Sequence, residues 1–316
     1  MTKVAIVGAG AVGSAIAYAA QIRGVCENLA LYDLNAVKVR AEVLDLNHGM
    51  QFTPMTRIEG GDDLEVCRDS DVIVVTAGAK QQPGQSRLDL AAANVAMCRT
   101  LVPRLVEVAP STLLLMVTNP VDVVTMAALR FSGLGPRRVL GSGTVLDSSR
   151  LRFLLAQRTG VAVQNVHAYI AGEHGDSEVP LWSSATIAGV PVCSWPLSTG
   201  ETLDADACGT IHAQVVNSAY EIIEGKGATS LAVGLAVSRI LEAILKDEHR
   251  VLPVSSLLHG VEGLKELDGV CLSMPSIVGR YGVGRVLPVP LSDGERQSLV
   301  TSADAVRAVA ADLGVG

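Results

Sequence analysis

The chain has 316 residues and a net charge of −7, with 25 Lys plus Arg against 32 Asp plus Glu. No basic block occurs, which argues against nucleic acid as a partner. Apolar runs such as residues 113–117 are too short for a bilayer, and the first predicted strand leaves no room for a signal peptide, so we expect a cytoplasmic protein that is not bound to membranes. The six cysteines contain no C-x-x-C pair, which favours reduced packing residues, and we expect no metal.

The chain opens with a pattern typical of dinucleotide binding. A predicted strand over residues 4–7 is followed by a glycine-rich turn and an alanine-rich helix over residues 14–21. In the turn, Gly8 permits a tight bend, Gly10 lets the backbone approach a pyrophosphate, and Gly13 allows close helix packing. The helix N-terminus would offer free N–H groups to the phosphates.

A second predicted strand, residues 29–32, ends at Asp33, which follows Gly13 by twenty residues. An acidic side chain at this spacing binds the ribose hydroxyls of the adenosine half. Its carboxylate also repels a 2′-phosphate, so the sequence favours NAD over NADP.

The first half of the chain alternates short apolar runs with helical stretches. The predicted strands are residues 4–7, 29–32, 71–76, 113–118 and 138–140. Such alternation predicts a Rossmann-type, doubly wound parallel sheet covered by helices on both faces. Gly78 and Asn119 directly follow predicted strands, as Gly8 and Asp33 do, so we expect all four in one crevice.

After about residue 141 the pattern changes to longer helices and short strands, with residues 163–171 and 283–291 as strand candidates. We therefore predict a dinucleotide-binding domain over residues 1–143 and a mixed α+β catalytic domain over residues 144–316.

Two segments of the first domain carry polar residues of interest. The Asn119-Pro120 bond could be cis and present the Asn119 amide to the crevice, or it could form an ordinary turn after the strand. Residues 78–90 are predicted to form a surface loop that continues into a helix. Arg87 could swing over the crevice when this loop closes, although a plain solvated connection is the alternative.

A helix predicted over residues 145–158 places three charged side chains on two different faces. Asp147 and Arg150 lie three residues apart on one face, whereas Arg152 is turned roughly 200° from Arg150. Arg150 can therefore face the active site beside Asp147 while Arg152 faces another surface. A simple salt bridge between Asp147 and Arg150 is the structural alternative.

His174 lies between Gly172 and Gly175 and is followed by Asp176. A histidine in such a segment, in a chain that opens with a dinucleotide fingerprint, points to acid–base chemistry.

These motifs together resemble the bacterial-type NAD-dependent L-lactate dehydrogenases of the lactate/malate dehydrogenase family. The resemblance spans nearly the whole chain and rests on the segments GAGAVGSA, TAGAKQQPGQSRLDL, VTNPVD, GSGTVLDSSRLR, NVHAYIAGEHGDSE and IIEGKGAT. It implies reversible hydride transfer between NADH and pyruvate to give L-lactate.

The resemblance also implies roles for individual residues. His174 corresponds to the catalytic acid/base, Asp147 to its carboxylate partner, and Arg150 to the residue that binds the substrate carboxylate. Arg87 corresponds to the loop arginine that polarises the carbonyl group. Further substrate contacts are implied for Asn119, in a cis bond with Pro120, and for Thr229. The predicted NAD contacts are Gly8, Gly10, Val12, Gly13, Asp33, Lys38, Gly78, Ala79, Thr118 and Asn119.

The choice of substrate depends on Gln81. Malate dehydrogenases of the family carry arginine here, which pairs with the second carboxylate of oxaloacetate, and a neutral Gln81 would leave that carboxylate unpaired. Gln85 and Ser230-Leu231 depart from the family pattern and could widen the pocket. Malate dehydrogenase activity, activity on longer 2-oxo acids, and a non-catalytic NAD-binding role therefore stay as alternatives.

Arg152 and His167 match the positions at which related bacterial enzymes bind fructose 1,6-bisphosphate at a subunit interface. The resemblance implies a homotetramer in which paired cations repel until the bisphosphate neutralises them. The alternative is that both residues are surface groups without a regulatory effect.

Overall fold

The computed structural model describes residues 1–79, 87–197, 200 and 202–316, without the side chain of Arg87. The helices are α1 (Ala11–Arg23), α2 (Ala36–His48), α3 (Arg87–Val108), α4 (Val121–Ser132), α5 (Val145–Thr159), α6 (Ala205–Lys226), α7 (Leu231–Leu245) and α8 (Asp293–Asp312). The strands are β1 (Lys3–Val7), β2 (Asn28–Tyr32), β3 (Arg57–Gly61), β4 (Val72–Val75), β5 (Leu113–Met116), β6 (Val139–Gly141), β7 (Val166–His167), β8 (Ile170–Ala171), β9 (Val179–Pro180), β10 (Thr186–Ile187), β11 (Val190–Pro191), β12 (Arg250–Leu257), β13 (Cys271–Gly279) and β14 (Gly282–Val286).

Six parallel strands in the order β3-β2-β1-β4-β5-β6 form the dinucleotide-binding part of the main sheet. This is the order of a Rossmann-type sheet, so the predicted doubly wound architecture is confirmed. The sequence of strand β1 is a continuous apolar run because both of its faces are buried. Val4 and Ile6 contribute to the core on one face, while Ala5 and Val7 contribute to the core on the other, because helices cover both faces.

The second half of the chain extends the same sheet. Strand β12 pairs antiparallel with β6 through Ser255 and Gly141, and β13 and β14 continue beyond it to give nine strands. Strands β12 and β13, and β3 at the opposite edge, were not among the strands predicted from sequence. Burial of β13 on both faces removes the apolar–polar alternation that marks a half-exposed strand.

The two strand candidates of the second half were too long. Residues 163–165 form a 3-10 turn, and the remainder of the first candidate divides into β7 and β8, which pair with different partners, β10 and β9. The second candidate, residues 283–291, forms a strand only as far as Val286, where β14 ends. Pro288 and Pro290 follow, and a proline has no N–H to contribute to a strand ladder.

A third apolar cluster lies away from the main sheet. Helix α5 contributes Leu151 and Leu155, helix α6 contributes Ile211 and Val215, and Ile170 of β8 packs among them. This cluster fixes α5 and α6 around the segment that begins at β8 and contains His174.

Within the described ranges, every helix is too short or too polar to traverse a bilayer. All six cysteines are free thiols, and five of them are buried.

Candidate active site

The loop that carries His174 is held by three successive backbone hydrogen bonds. The N–H of Gly172 donates to the Ser273 carbonyl at 2.9 Å. The N–H of Glu173 donates to the Ser302 hydroxyl at 2.7 Å, and the N–H of His174 donates to Oδ2 of Asp122 at 2.8 Å. Residues from β13, α8 and α4 therefore fix the histidine backbone.

Asp122 is a buried carboxyl in the first turn of α4. Its Oδ1 accepts a hydrogen bond from the Ser255 hydroxyl at 2.6 Å, while Oδ2 accepts the His174 N–H. Burial raises the pKa of Asp122 to about 6, although both hydrogen bonds favour its ionised form. Asp122 thus connects β12 of the sheet to the His174 loop.

Asp147 is buried and bridges two cationic groups. Its Oδ2 lies 2.6 Å from Nδ1 of His174, and its Oδ1 accepts a hydrogen bond of 2.7 Å from Nη1 of Arg150. Burial alone would raise the pKa of Asp147, but His174 and Arg150 hold it below its ordinary value. The salt bridge that was the structural alternative for Asp147 and Arg150 is therefore present together with the histidine contact that the family resemblance implied.

The same contact controls the protonation of His174. Burial opposes the charged imidazolium, but the adjacent Asp147 carboxylate, assisted by Asp122 and Glu178, raises the pKa of His174 to about 9. The ring is therefore a cation at neutral pH, and it can act as a proton donor.

A cavity of about 250 Å³ opens beside His174. Four residues predicted from sequence, Asn119, Asp147, Arg150 and His174, line it together. Its apolar wall consists of Leu90, Val123, Val215, Val216, Ala219, Ile223, Val306 and Val309. The cavity therefore combines this apolar wall with an end that holds the cations Arg150 and His174. The carboxyl groups that line it are Asp147, Glu173, Asp176 and Glu178.

Three residues predicted to contact the substrate are not among the described residues that line this cavity. Arg87 is the first residue of α3, three positions before the cavity residue Leu90. Gln81 lies outside the described residues. Thr229 lies between α6 and α7 and does not line the cavity; its buried hydroxyl oxygen has no partner among the described residues.

The glycine-rich turn after β1 has the shape that a dinucleotide requires. A Cβ atom at Gly13 would lie 1.8 Å from the Gly8 carbonyl oxygen, so this close approach excludes any side chain. A Cβ at Gly10 would meet no protein atom within 4 Å. Gly10 is the N-cap residue of α1 and its side of the turn is open, so the backbone N–H groups there can receive a pyrophosphate. Val12 lies in the same first turn.

Asp33 directly follows β2, as predicted, and faces this turn. Its Oδ2 accepts the N–H of Ala9 at 2.7 Å, and its Oδ1 accepts the N–H of Asn35 at 2.9 Å. Each carboxylate oxygen retains acceptor capacity for a ribose hydroxyl. Lys38 lies in the first turn of α2, with an exposed side chain.

Asn94 is a fully buried residue of α3 that joins two edges of the crevice. Its Oδ1 accepts the N–H of Ala79, and its Nδ2 donates to the Asn119 carbonyl, both at 2.7 Å. A Cβ at Gly78 would collide with both Thr118 and Asn94. The Asn119-Pro120 bond is cis, as the resemblance implied.

Arg152 and His167 come together on another surface. Nε of Arg152 donates to the Ala168 carbonyl at 2.8 Å, and its guanidinium lies 4.8 Å from the centre of the Tyr169 ring. His167 is exposed in β7 beside this contact. The predicted divergence of Arg150 and Arg152 on α5 is confirmed.

Sequence reasoning assigned no role to Asp122, Asn94 or Glu178. Asp122 and Glu178 fall inside the quoted segments VTNPVD and NVHAYIAGEHGDSE, but no spacing rule connects them to His174. Asn94 carries no local signal, because it is a single amide within a helix.

Comparisons with known proteins agree with this geometry. Residues 2–141 match the NAD-binding domain of lactate/malate dehydrogenase, and residues 144–312 match the alpha/beta C-terminal domain of the same family. The chain belongs to the lactate/malate dehydrogenase family, and its first domain binds NAD.

The similar proteins include bacterial enzymes named L-lactate dehydrogenase. The chain is 55% identical to the one from Bifidobacterium animalis subsp. lactis, over 99% of this chain and 97% of the relative. It is 50% identical to that of a Synechococcus strain, over 97% and 98% of the two chains. The crystal structure of a lactate dehydrogenase from a Medee basin deep-sea metagenome library superposes with a TM-score of 0.94, at 37% identity, over 99% of both chains.

The two glycines of the turn predict different defects. Gly13→Ala would force the Gly8 carbonyl away, and we expect it to lower the free energy of unfolding by about 1–3 kcal/mol. Gly10→Ala should leave the melting temperature of the ligand-free protein near that of the wild type. We expect it to weaken NADH binding about tenfold or more, because its methyl group occupies the pyrophosphate side. Calorimetric titration with NADH that gives wild-type affinity for Gly10→Ala would contradict this interpretation.

Replacing Asp147 should change the pH profile of catalysis. Pyruvate reduction needs protonated His174, so its rate should fall as the pH rises through about 9. In Asp147→Asn, burial of His174 is no longer offset by that carboxylate, so we expect the inflection to move down by more than one unit. We also expect kcat/KM to fall about 10²–10⁴-fold.

A matched control is Asp304→Asn. Asp304 makes an exposed i,i+3 pair with Arg307 at 2.8 Å, the same spacing as Asp147 and Arg150. This variant should keep the wild-type inflection. An unchanged inflection in Asp147→Asn would show that another group determines the protonation of His174.

Proposed function

We propose that His174, Asp147, Arg150 and Arg87 carry out the reaction of this NAD-dependent L-lactate dehydrogenase. Bound NADH supplies the hydride that reduces pyruvate to L-lactate. His174 would donate the proton from its second ring nitrogen, Nε2, to the carbonyl oxygen, and it would remove the hydroxyl proton in the reverse direction. The observation that carries this proposal is the contact of 2.6 Å between His174 and the buried Asp147.

Arg150 would bind the substrate carboxylate through two parallel hydrogen bonds. Its Nη1 is occupied by Asp147, which fixes the guanidinium plane at the cavity wall while other N–H groups remain available. Arg87 would place its charge on the carbonyl oxygen, and Asn119 and Thr229 would complete the contacts. Thr229 is included on the family resemblance, since its buried hydroxyl does not line the cavity.

NAD would lie across the carboxyl ends of the parallel strands. The open side of Gly10 and the position of Asp33 support pyrophosphate and ribose binding there. The predicted contacts along this crevice are Gly8, Gly10, Val12, Gly13, Asp33, Lys38, Gly78, Ala79, Thr118 and Asn119.

Pyruvate is the proposed oxidised substrate because the cavity joins a cationic end to an apolar wall. A neutral Gln81 would supply no cation for the second carboxylate of oxaloacetate. The apolar side chains along a cavity of about 250 Å³ also favour longer 2-oxo acids as a second class of substrate. Steady-state NADH oxidation with pyruvate, oxaloacetate and a branched 2-oxo acid separates these alternatives.

Gln81→Arg tests the proposed discriminator. Pairing a desolvated carboxylate is worth about 3 kcal/mol, so we expect the ratio of kcat/KM for oxaloacetate over pyruvate to rise about 10²-fold. Gln81→Met is the neutral control of similar length, and its ratio should stay near that of the wild type. A ratio that Gln81→Arg leaves unchanged would mean that another residue determines substrate choice.

We further propose that fructose 1,6-bisphosphate activates the enzyme at Arg152 and His167. Their proximity on a surface away from the cavity supports this, because a guanidinium and an imidazole N–H can both donate hydrogen bonds to a phosphate. Binding would favour an assembled homotetramer. Exposed apolar residues on the adjoining helices α1 and α7 support self-association, namely Tyr18, Ile22, Leu231 and Leu235.

The regulatory proposal predicts a loss of activation in Arg152→Ala. The ratio of activities with and without the bisphosphate, measured at limiting pyruvate, should exceed one in the wild type and fall to about one in the variant. Arg158→Ala, which replaces an exposed arginine of the same helix α5, should retain activation. A wild-type enzyme that does not respond to the bisphosphate would show Arg152 and His167 to be ordinary surface groups.

We propose a domain boundary between residues 143 and 144, where the chain passes from β6 to α5. We also propose a cytoplasmic location, which the six free thiols support, since thiols persist in reducing compartments.

A further inference from the structure

Glu178 is a buried carboxyl beside the proposed reaction centre, and the roles assigned above do not use it. It directly precedes β9 and is 6% exposed. It lines the cavity, and one of its carboxyl oxygens, an Asp147 oxygen and a His174 ring nitrogen all lie within 4.8 Å of one another.

The surroundings of Glu178 disfavour a negative charge. Its Oε1 is buried and accepts no hydrogen bond from the described residues. The Arg150 guanidinium, which acts on Glu178, is already paired with Asp147 at 2.7 Å. A buried carboxylate without donors is costly, and a second carboxylate close by adds repulsion.

The neighbouring titratable and charged groups come from three segments. Helix α5 contributes Asp147 and Arg150, and the loop before Glu178 contributes His174 and Asp176. The His212 ring of α6 contacts the Glu178 backbone. Burial and then the Asp147 carboxylate raise the pKa of Glu178 to about 8, although His174 and Arg150 act in the opposite direction.

The protonation of Glu178 decides the charge of the cavity. With Glu178 neutral, the cations Arg150 and His174 outnumber the one carboxylate, Asp147, that contacts them. Ionisation of Glu178 adds a buried negative charge beside these cations, in a cavity that Glu173 and Asp176 also line, so the site then binds a substrate carboxylate less well.

We propose that Glu178 is held as a neutral carboxylic acid in the substrate-binding enzyme, and that its ionisation weakens the binding of the anionic 2-oxo acid. Glu178 thereby sets how substrate affinity depends on pH, separately from the proton donor His174. This inference rests on the proposed use of the cavity for a 2-oxo acid.

The test compares how KM for pyruvate and kcat depend on pH in the wild type and in Glu178→Gln. Glutamine has nearly the same shape as the neutral carboxylic acid. Between about pH 6.5 and about pH 9, we expect the ionisation of Glu178 to raise the pyruvate KM of the wild type ~10-fold. Glu178→Gln should lose this component of the KM profile. The alkaline limb of kcat should stay in place, because bound substrate keeps Glu178 protonated and His174 sets that limb.

An ionised Glu178 would give a different result. Its replacement would remove a negative charge that favours the His174 cation, so the kcat limb would move to lower pH and KM would fall by a similar factor at every pH. This result would overturn the proposal. Asp304→Asn, which removes an exposed carboxylate that does not line the cavity, should keep the wild-type change in KM with pH.

A second measurement does not depend on a variant that folds. Difference infrared spectra of the wild type should contain the carbonyl band of a protonated carboxyl group that disappears between about pH 7.5 and about pH 9, where exposed carboxyls and the buried Asp122, with its pKa of about 6, are already ionised. Absence of this band would overturn the proposal even in an active enzyme. If pyruvate supports no NADH oxidation, the proposed reaction fails instead, and the infrared band still decides the protonation of Glu178.

Discussion

The chemistry of the site depends on one buried carboxylate that bridges two cations. Asp147 contacts His174 through one oxygen and Arg150 through the other, at 2.6 and 2.7 Å. Without this bridge, burial would favour the neutral imidazole, and the arginine would lose the partner that fixes its plane. A single side chain therefore sets both the charge of the proton donor and the position of the carboxylate-binding group.

The bridge has its effect because the backbone around it is fixed by the main sheet. Asp122 accepts the His174 N–H and the Ser255 hydroxyl, so the histidine loop is connected to strand β12. That strand pairs with β6, the last parallel strand of the dinucleotide-binding half. The sheet thus joins the crevice proposed for NAD to the cavity that holds His174, and the relative position of hydride donor and proton donor follows from strand pairing.

The fold of the first half could be predicted because its signals are local: the glycine turn, its acidic residue at Asp33 and a series of short apolar runs. The pairing of Asp147 with His174 followed from the family resemblance. Strands β12 and β13 were missed because burial hides their alternation, and Asp122 was missed because its partners are distant in sequence. Glu178 could not be singled out from sequence for the same reason, because its surroundings are formed by α5, α6 and its own loop, which are separate in the chain.

The central claim is that Asp147 keeps His174 positively charged at neutral pH. Its most direct test is a titration of the His174 ring nitrogens by NMR in the folded enzyme, with the signals assigned through His174→Gln. We expect both ring nitrogens of His174 to carry protons at neutral pH, and the ring to titrate with a pKa of about 9. A ring that titrates near the ordinary histidine value of about 6.5 would contradict it, because the contact with Asp147 would then fail to offset burial.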